Sequence, residues 1–485
     1  MKVQIPTAVM SGAVGAVSAP RLPNVPPAAH KGQREEIVPG PRPESYSYDL
    51  VLDPGQRTLS GAGTIRIVND QPEPLNEVYL RLWGNAPSLA RDGGNASINN
   101  VLVNGRAAQT TVDRTVAKVA LANPLLSGET LTLSFDTHIR APKTMGRTGI
   151  GRDGSLYFGN ALPILAVRDE EGWNLDPYVV GGEAFYSLAS NWNVHLEAPD
   201  SVQLVTTGSS VGGNTASNRQ SRDFTAPSVR EFIVTALPGT YEKQERQVGD
   251  TTVRTWAPAG QAQAGARMLD TAAKSLDWYN RRYGTFHLDE MDVIATRGLG
   301  GGMEYPGVTL NDTGGMSQDM IIAHENAHQW FYSMVGNNQY DDPWLDESFT
   351  TFLTSEYTGR RPMDIARAVA ERQHRRDPIP PPGFGSSVRV SSPMHVLAGH
   401  GYVGMIYGRG AQVLADLKRE IGEEKFLNGM RAHFAARRNG IATTRDFMNT
   451  MNEAAGRDLT EWFSQHQVVA VEPSANEHLD PNTEL

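Results

Sequence analysis

The chain has 485 residues, 39% apolar and 20% charged, a globular composition too long for one ordinary core, so two or three domains are expected. A formal net charge of −10 argues against nucleic acid or an anionic membrane as partner. Cysteine is absent, which excludes disulfides, thiol nucleophiles and thiolate metal sites and leaves only histidine and carboxylate to hold a metal.

Taken in order, Lys2 and the small, apolar run 3–19, ending V-S-A before Pro20, resemble a secretory signal peptide. Gly12, Gly15 and Pro20 weaken that match and leave a disordered leader as the alternative. The expectation is therefore export, to periplasm or medium, over a cytoplasmic location. Residues 19–43 are Pro-rich and read as a linker, so 1–43 form a leader outside the folded domains. No stretch approaches the roughly 20 apolar residues of a membrane span.

From residue 44 to 242 the text reads as strands. SYDLVLD, GAGTIRIVND, NEVYLRLWG, ETLTLSFDTHI, NWNVHLEAP, SVQLVTTG and REFIVTAL are β-branched or alternating runs separated by Gly, Asn, Asp and Pro. They predict a β-sandwich or a curled, saddle-like antiparallel sheet. From 243 to 485 the pattern turns helical. Met268, Ala272, Leu276, Tyr279 and Tyr283 recur at helical spacing over 262–283, and MDVIAT supplies a short strand. GLGGGMEYP leads into a helix expected over 317–335, with Asp319 in its first turn and Gly336 ending it. Further helices are expected from 344 to 357, 364 to 375, 403 to 421, 424 to 438 and 444 to 455, with a Pro-rich loop at 378–385. The fold class is α+β and multidomain.

The chemistry lies in IIAHENAHQWFY. Positions four apart on a helix sit one above the other, so His324 and His328 can face one metal ion, with Glu325 beside them as a base for the metal's water. Zinc hydrolases use three protein ligands and leave a fourth position open for water. Residues 329–346 are enough to finish one helix, turn, and bring Asp346 or Glu347 of WLDESFTTF back beside the first. Adjacent helix residues point about 100° apart, so only one of these two carboxylates can face the metal. Thr351, one turn after Glu347, could hydrogen-bond a ligand or be an ordinary polar helix residue.

His324, Glu325, His328 and Glu347 match the pattern of the M1 zinc aminopeptidases, gluzincins with a thermolysin-like catalytic domain, in which eighteen residues separate H-E-x-x-H from a glutamate. Upstream, Gly301, Gly302, Met303, Glu304 and Tyr305 resemble the family's G-x-M-E-N segment, with Tyr305 in place of Asn. Downstream, I-Y-G-R-G resembles its catalytic-tyrosine segment. The likeness runs over about 43–465, and NALPILAV with GWNLDPYVVGGEAFYS is similar to short bacterial two-domain members. It implies one Zn²⁺ per chain on His324, His328 and Glu347. It also implies Glu325 as general base and acid, and Tyr407 as the donor that stabilises the oxyanion. Gly301, Gly302 and Met303 would then bind substrate as an added strand, and Glu304 would hold a free N-terminal ammonium. The implied function is removal of N-terminal residues from peptides. A zinc endopeptidase of similar fold and a catalytically silent peptide-binding homologue are the alternatives. The chain stops where longer relatives continue into a large helical domain, so a more open cleft is expected, and the residue of the N-terminal domain that assists Glu304 is not identifiable.

Overall fold

The computed structural model describes residues 45–180, 182–313, 318–372, 388–397, 401–470 and 484. The leader at 1–43 and the loop at 378–385 lie outside them. Arg42–Leu485 forms one compact unit.

Alternation builds its first half. In Ser45–Asp53 every second residue is buried, so Tyr46, Tyr48, Leu50 and Leu52 line one face while their neighbours meet solvent. Thr130–Arg140 repeats the pattern. These strands belong to an eight-stranded sheet in the order Ser209–Ala216, Arg219–Val229, Ser190–Pro199, Ser45–Asp53, Thr58–Val68, Thr130–Arg140, Asn95–Val103 and Arg106–Ala107. Two four-stranded sheets accompany it. The pairing is antiparallel throughout the large sheet except between Ser45–Asp53 and Ser190–Pro199, which run parallel, a departure from the purely antiparallel sheet expected. Strands such as Ser209–Ala216 escaped the sequence reading because that edge strand is almost wholly exposed and has no apolar face to betray it.

The second half opens on a five-stranded mixed sheet ordered Glu242–Val248, Thr251–Ala257, Glu290–Thr296, Val308–Asp312 and Gly302–Met303. Gly302–Met303 is its outer strand, pairing antiparallel with Asn311 and Leu310. Helix Ala262–Tyr283 buries Met268, Leu269, Ala272, Leu276, Tyr279 and Tyr283, the stripe its periodicity predicts. Helices Gln318–Ala327, Trp344–Thr358, Pro362–Arg372, Ala411–Ile421, Glu423–Arg437 and Thr444–Ala455, with shorter ones at Met394–Leu397 and Thr460–Gln465, make up the rest of the α-rich part among the described residues. No helix among the described residues is long and apolar enough to cross a membrane.

Two expected helices are corrected. The motif helix stops at Ala327, not at residue 335. Beyond it Ser333, Met334 and Val335 donate to the carbonyls five residues back, and Tyr332 takes φ 125°, a strained value for a residue with a side chain. The cause is visible in the first half of the chain: Arg230 Nε donates to the Tyr332 carbonyl at 2.7 Å, and the Tyr332 hydroxyl donates to Glu231. The helix expected over 403–421 begins as a π-helical segment, Val403–Gly410, before Ala411–Ile421 continues as α-helix.

Candidate active site

The site is built where the motif helix, helix Trp344–Thr358, the π-helical segment and the outer strand converge. Although His328 lies just past the last α-helical residue, its amide still bonds the His324 carbonyl at 3.3 Å, so the i, i+4 stacking survives. Glu347 Oε2 lies 3.1 Å from His324 Nε2 and 3.5 Å from His328 Nε2. Ligand atoms of His324, His328 and Glu347 all fall within 4.8 Å of one another, and all three residues are buried. Burial alone would raise the Glu347 carboxyl, but His328 and His324 hold it below the ordinary carboxylate range.

The groups behind the histidines fix which nitrogen faces inward. His328 Nδ1 meets Asp346 Oδ1 at 2.7 Å, the Thr350 hydroxyl at 3.1 Å and the Phe331 carbonyl at 3.3 Å. A carboxylate and a carbonyl can only accept, so the proton sits on Nδ1 and Nε2 keeps its lone pair for a metal. Asp346 thus backs a histidine while its neighbour Glu347 faces the centre, as the 100° argument requires. Thr351 is not the hydroxyl involved: its Oγ1 is buried with no partner among the described residues, while Thr350 reaches His328 and Thr354 Oγ1 lies 3.5 Å from His324 Nδ1. Asp346→Asn is expected to weaken metal affinity about 10–100-fold. Competition with a chromophoric chelator measures this, and an unchanged affinity would mean that Thr350 and Phe331 suffice to orient His328.

Glu325 sits directly beneath the outer strand. Any Cβ at Gly302 would run into the Glu325 carboxylate, so glycine is required there for close approach. Gly301 and Met303 flank it half-exposed, and Glu304 follows at the strand's end, 4% exposed. Carboxylate atoms of Glu304 and Glu325 and a ring nitrogen of His328 lie within 4.8 Å of one another. Burial pushes the Glu325 carboxyl well up; His328 counteracts this, and Glu304, Glu347 and Glu183 reinforce it. Gln329 clamps this arrangement: its Nε2 donates to the Glu304 and Tyr305 carbonyls at 3.3 and 3.2 Å, and its Oε1 accepts from the Gly307 amide at 3.0 Å. Tyr305, where the resembling family has Asn, is buried against Gly159 and donates to the Arg147 carbonyl at 3.3 Å.

Tyr407 closes the site from the other side. The wider π-helical turn frees the Ile406 carbonyl, and Ser348 Oγ takes it at 2.6 Å. Gly410 is there because a side chain would strike Ser348. The Tyr407 hydroxyl donates to Glu347, and its ring stacks on His324 at 5.8 Å between centroids. Tyr402 packs edge-on against Tyr407, and its own hydroxyl has no partner among the described residues.

Three residues were missed from sequence. Arg147 forms an ion pair with Glu183 and lies 3.5 Å from Glu304, joining the first half of the chain to the outer strand. Glu183, in the GGEAFYS run, is buried, which pushes its carboxyl up to about 8 even though Arg147 pulls it down. Gln339 Nε2 donates to Glu183 at 2.8 Å and to Asp346 at 2.6 Å, so one amide ties the two acids together.

With this geometry in view, comparison with known proteins is direct. A family model described as the peptidase family M1 domain matches residues 267–466. Residues 267–466 are thus similar to a family M1 peptidase domain. The matched stretch contains both histidines, Glu325, Glu304, Glu347 and Tyr407. Among curated relatives, "Probable aminopeptidase 2" of Sulfurisphaera tokodaii is 24% identical over 52% of this chain and 35% of its own length. "Aminopeptidase N" of Streptomyces lividans is 30% identical over 29% of this chain and 17% of its own. The chain thus spans little more than a third of such relatives at most. The M1 zinc metallopeptidase of Deinococcus radiodurans has the same fold, with a TM-score of 0.62 at 18% identity over 90% of this chain and 97% of that one. A mutant of that metallopeptidase has been solved bound to a Tyr-Ser-Ala substrate, and its TM-score is 0.60.

Proposed function

We propose that the protein is a monozinc aminopeptidase that hydrolyses the first peptide bond of peptides with a free N-terminus. The observation that carries this reading is the carboxylate of Glu304, at the end of the outer strand and within 4.8 Å of the Glu325 and His328 ligand atoms. The donor set fits zinc: two imidazoles with Nε2 turned inward and one carboxylate, in a chain without cysteine. A zinc ion held by His324, His328 and Glu347 would supply Lewis acidity, lowering the pKa of a water and polarising the scissile carbonyl.

The chain's own residues do the rest. A peptide adds to the free edge at Gly301, Gly302 and Met303 through main-chain hydrogen bonds. Its ammonium meets Glu304 with Glu183 close by; Arg147 keeps these two acids from repelling each other when no substrate is bound. Glu325, under Gly302 and so under the scissile bond, takes a proton from the attacking water and returns it to the leaving amine. Tyr407 moves its hydroxyl hydrogen bond from Glu347 to the oxyanion as that charge develops.

The test combines a metal assay with a substrate profile. About one zinc per chain is expected, with turnover of free aminoacyl-anilides that a chelator abolishes and zinc restores. Peptides with an acetylated N-terminus are expected to be inert. Internal cleavage of blocked peptides, with free ones untouched, would assign the site to an endopeptidase.

A further inference from the structure

Between the motif helix and helix Trp344–Thr358 the chain makes a polar turn, NNQYDD. Asn338 tightens it: its Oδ1 accepts from the Tyr340 and Asp341 amides at 3.0 and 3.3 Å, and its carbonyl accepts from the Asp342 amide at 2.8 Å. Gln339, the next residue, is turned inward and only 1% exposed, and every polar atom of its side chain is used. Oε1 accepts from the Phe185 amide at 3.1 Å, while Nε2 donates to Glu183 Oε2 at 2.8 Å and to Asp346 Oδ2 at 2.6 Å. A backbone amide can only donate, so Oε1 has to face Phe185, and both Nε2 hydrogens are left for the two acids.

Each acid is held at both oxygens, and each has a different task. Asp346 Oδ1 lies 2.7 Å from His328 Nδ1, with Oδ2 on Gln339. Glu183 Oε1 is on Arg147, which also reaches Glu304 at 3.5 Å, with Oε2 on Gln339. Without the amide, two buried acids would face each other with one oxygen apiece unsatisfied, and each would be free to swing away from its partner. We propose that Gln339 is a positioning residue for both ends of the site: it aims Glu183 at the substrate's ammonium and Asp346 at His328. Recognition of the N-terminus and orientation of a metal ligand then depend on one side chain that touches neither substrate nor metal. The inference rests on the aminopeptidase reading for the ammonium.

Two measurements test it. Zinc affinity is read by competition with a chromophoric chelator. The ammonium is read by calorimetric binding of leucine hydroxamate and its des-amino analogue to the zinc-loaded protein, whose Kd ratio isolates the amino group. In the wild type the amine is expected to bind about 10–100-fold tighter, the size of charge-assisted hydrogen bonds. Gln339→Met, similar in size but without donors, is expected to lower that ratio and the zinc affinity by about fivefold each. In a Glu183→Ala background the same substitution is expected to leave the ratio within about twofold, and in an Asp346→Ala background the zinc affinity within about twofold, because the group it acts through is gone. Losses that recur in full in these backgrounds make Gln339 a brace for its loop alone and overturn the proposal, as does Gln339→Met with either value unchanged. A wild-type ratio near one overturns the aminopeptidase reading and with it the ammonium half, while the chelator still decides the zinc half. Should Gln339→Met not fold, Gln339→Asn serves: its amide is one methylene too short to span both acids, and wild-type values for both measurements overturn the proposal.

Discussion

Glu325→Gln is expected to lower turnover of an aminoacyl-anilide by about 10²–10⁴-fold while the protein still carries about one zinc. The substitution keeps the size of a side chain on which the Gly302 backbone rests, so the strand above it stays in place. It removes the group able to accept a proton. It also relieves a crowded set of acids, since Glu304, Glu347 and Glu183 all raise the Glu325 carboxyl. The melting temperature of the metal-free variant is therefore expected to equal or exceed the wild type's, so a lost rate reads chemistry, not unfolding. Turnover within tenfold of wild type, with zinc content intact, would place the base elsewhere.

Tyr407→Phe is expected to reduce kcat by about 10²–10³-fold, and Tyr402→Phe by far less. The two tyrosines are buried against each other, but only the Tyr407 hydroxyl reaches a site residue, Glu347. Because that residue is a proposed ligand, zinc content has to be measured beside the rate. A loss of rate at constant zinc supports an oxyanion donor. A parallel loss of zinc would make Tyr407 a positioning residue for Glu347.

Local periodicity made part of this legible in sequence. His324, Glu325 and His328 share one helical turn, and the stretch to Asp346 and Glu347 is long enough for one turn and a return; spacing left those two carboxylates open, and the resemblance to the M1 pattern singled out Glu347. The end of the motif helix did not follow. Nothing in QWFYSMV signals a break at Ala327, and the partners that hold Tyr332 in its strained conformation beyond the break, Arg230 and Glu231, come from a strand-rich segment about a hundred residues earlier. Asp346 and Thr350 were ambiguous for a related reason. Helical spacing says which residues share a face, but which residue stands behind a histidine ring depends on the crossing of two helices. Arg147 and Glu183 carry no motif, and the contact from Arg147 to Glu304 spans 157 positions. Glu183 did lie in the GWNLDPYVVGGEAFYS run that resembles short bacterial members, but nothing in that likeness singled out its carboxylate, and Arg147 had no signal beyond being a base in Gly-rich text.

The outer strand Gly302–Met303 has a further consequence. A sheet edge that offers its amides and carbonyls to a peptide offers them equally to another protein chain, the usual route to edge-to-edge aggregation. This edge is only two residues long, preceded by glycines at 298, 300 and 301, of which 298 and 300 have positive φ. Such a segment pairs with an extended ligand over one or two residues and then turns away, too short a template for a second sheet to grow on. On the proposed aminopeptidase reading, the glycine run leaves the edge open to small substrates while making it a poor template for neighbouring molecules.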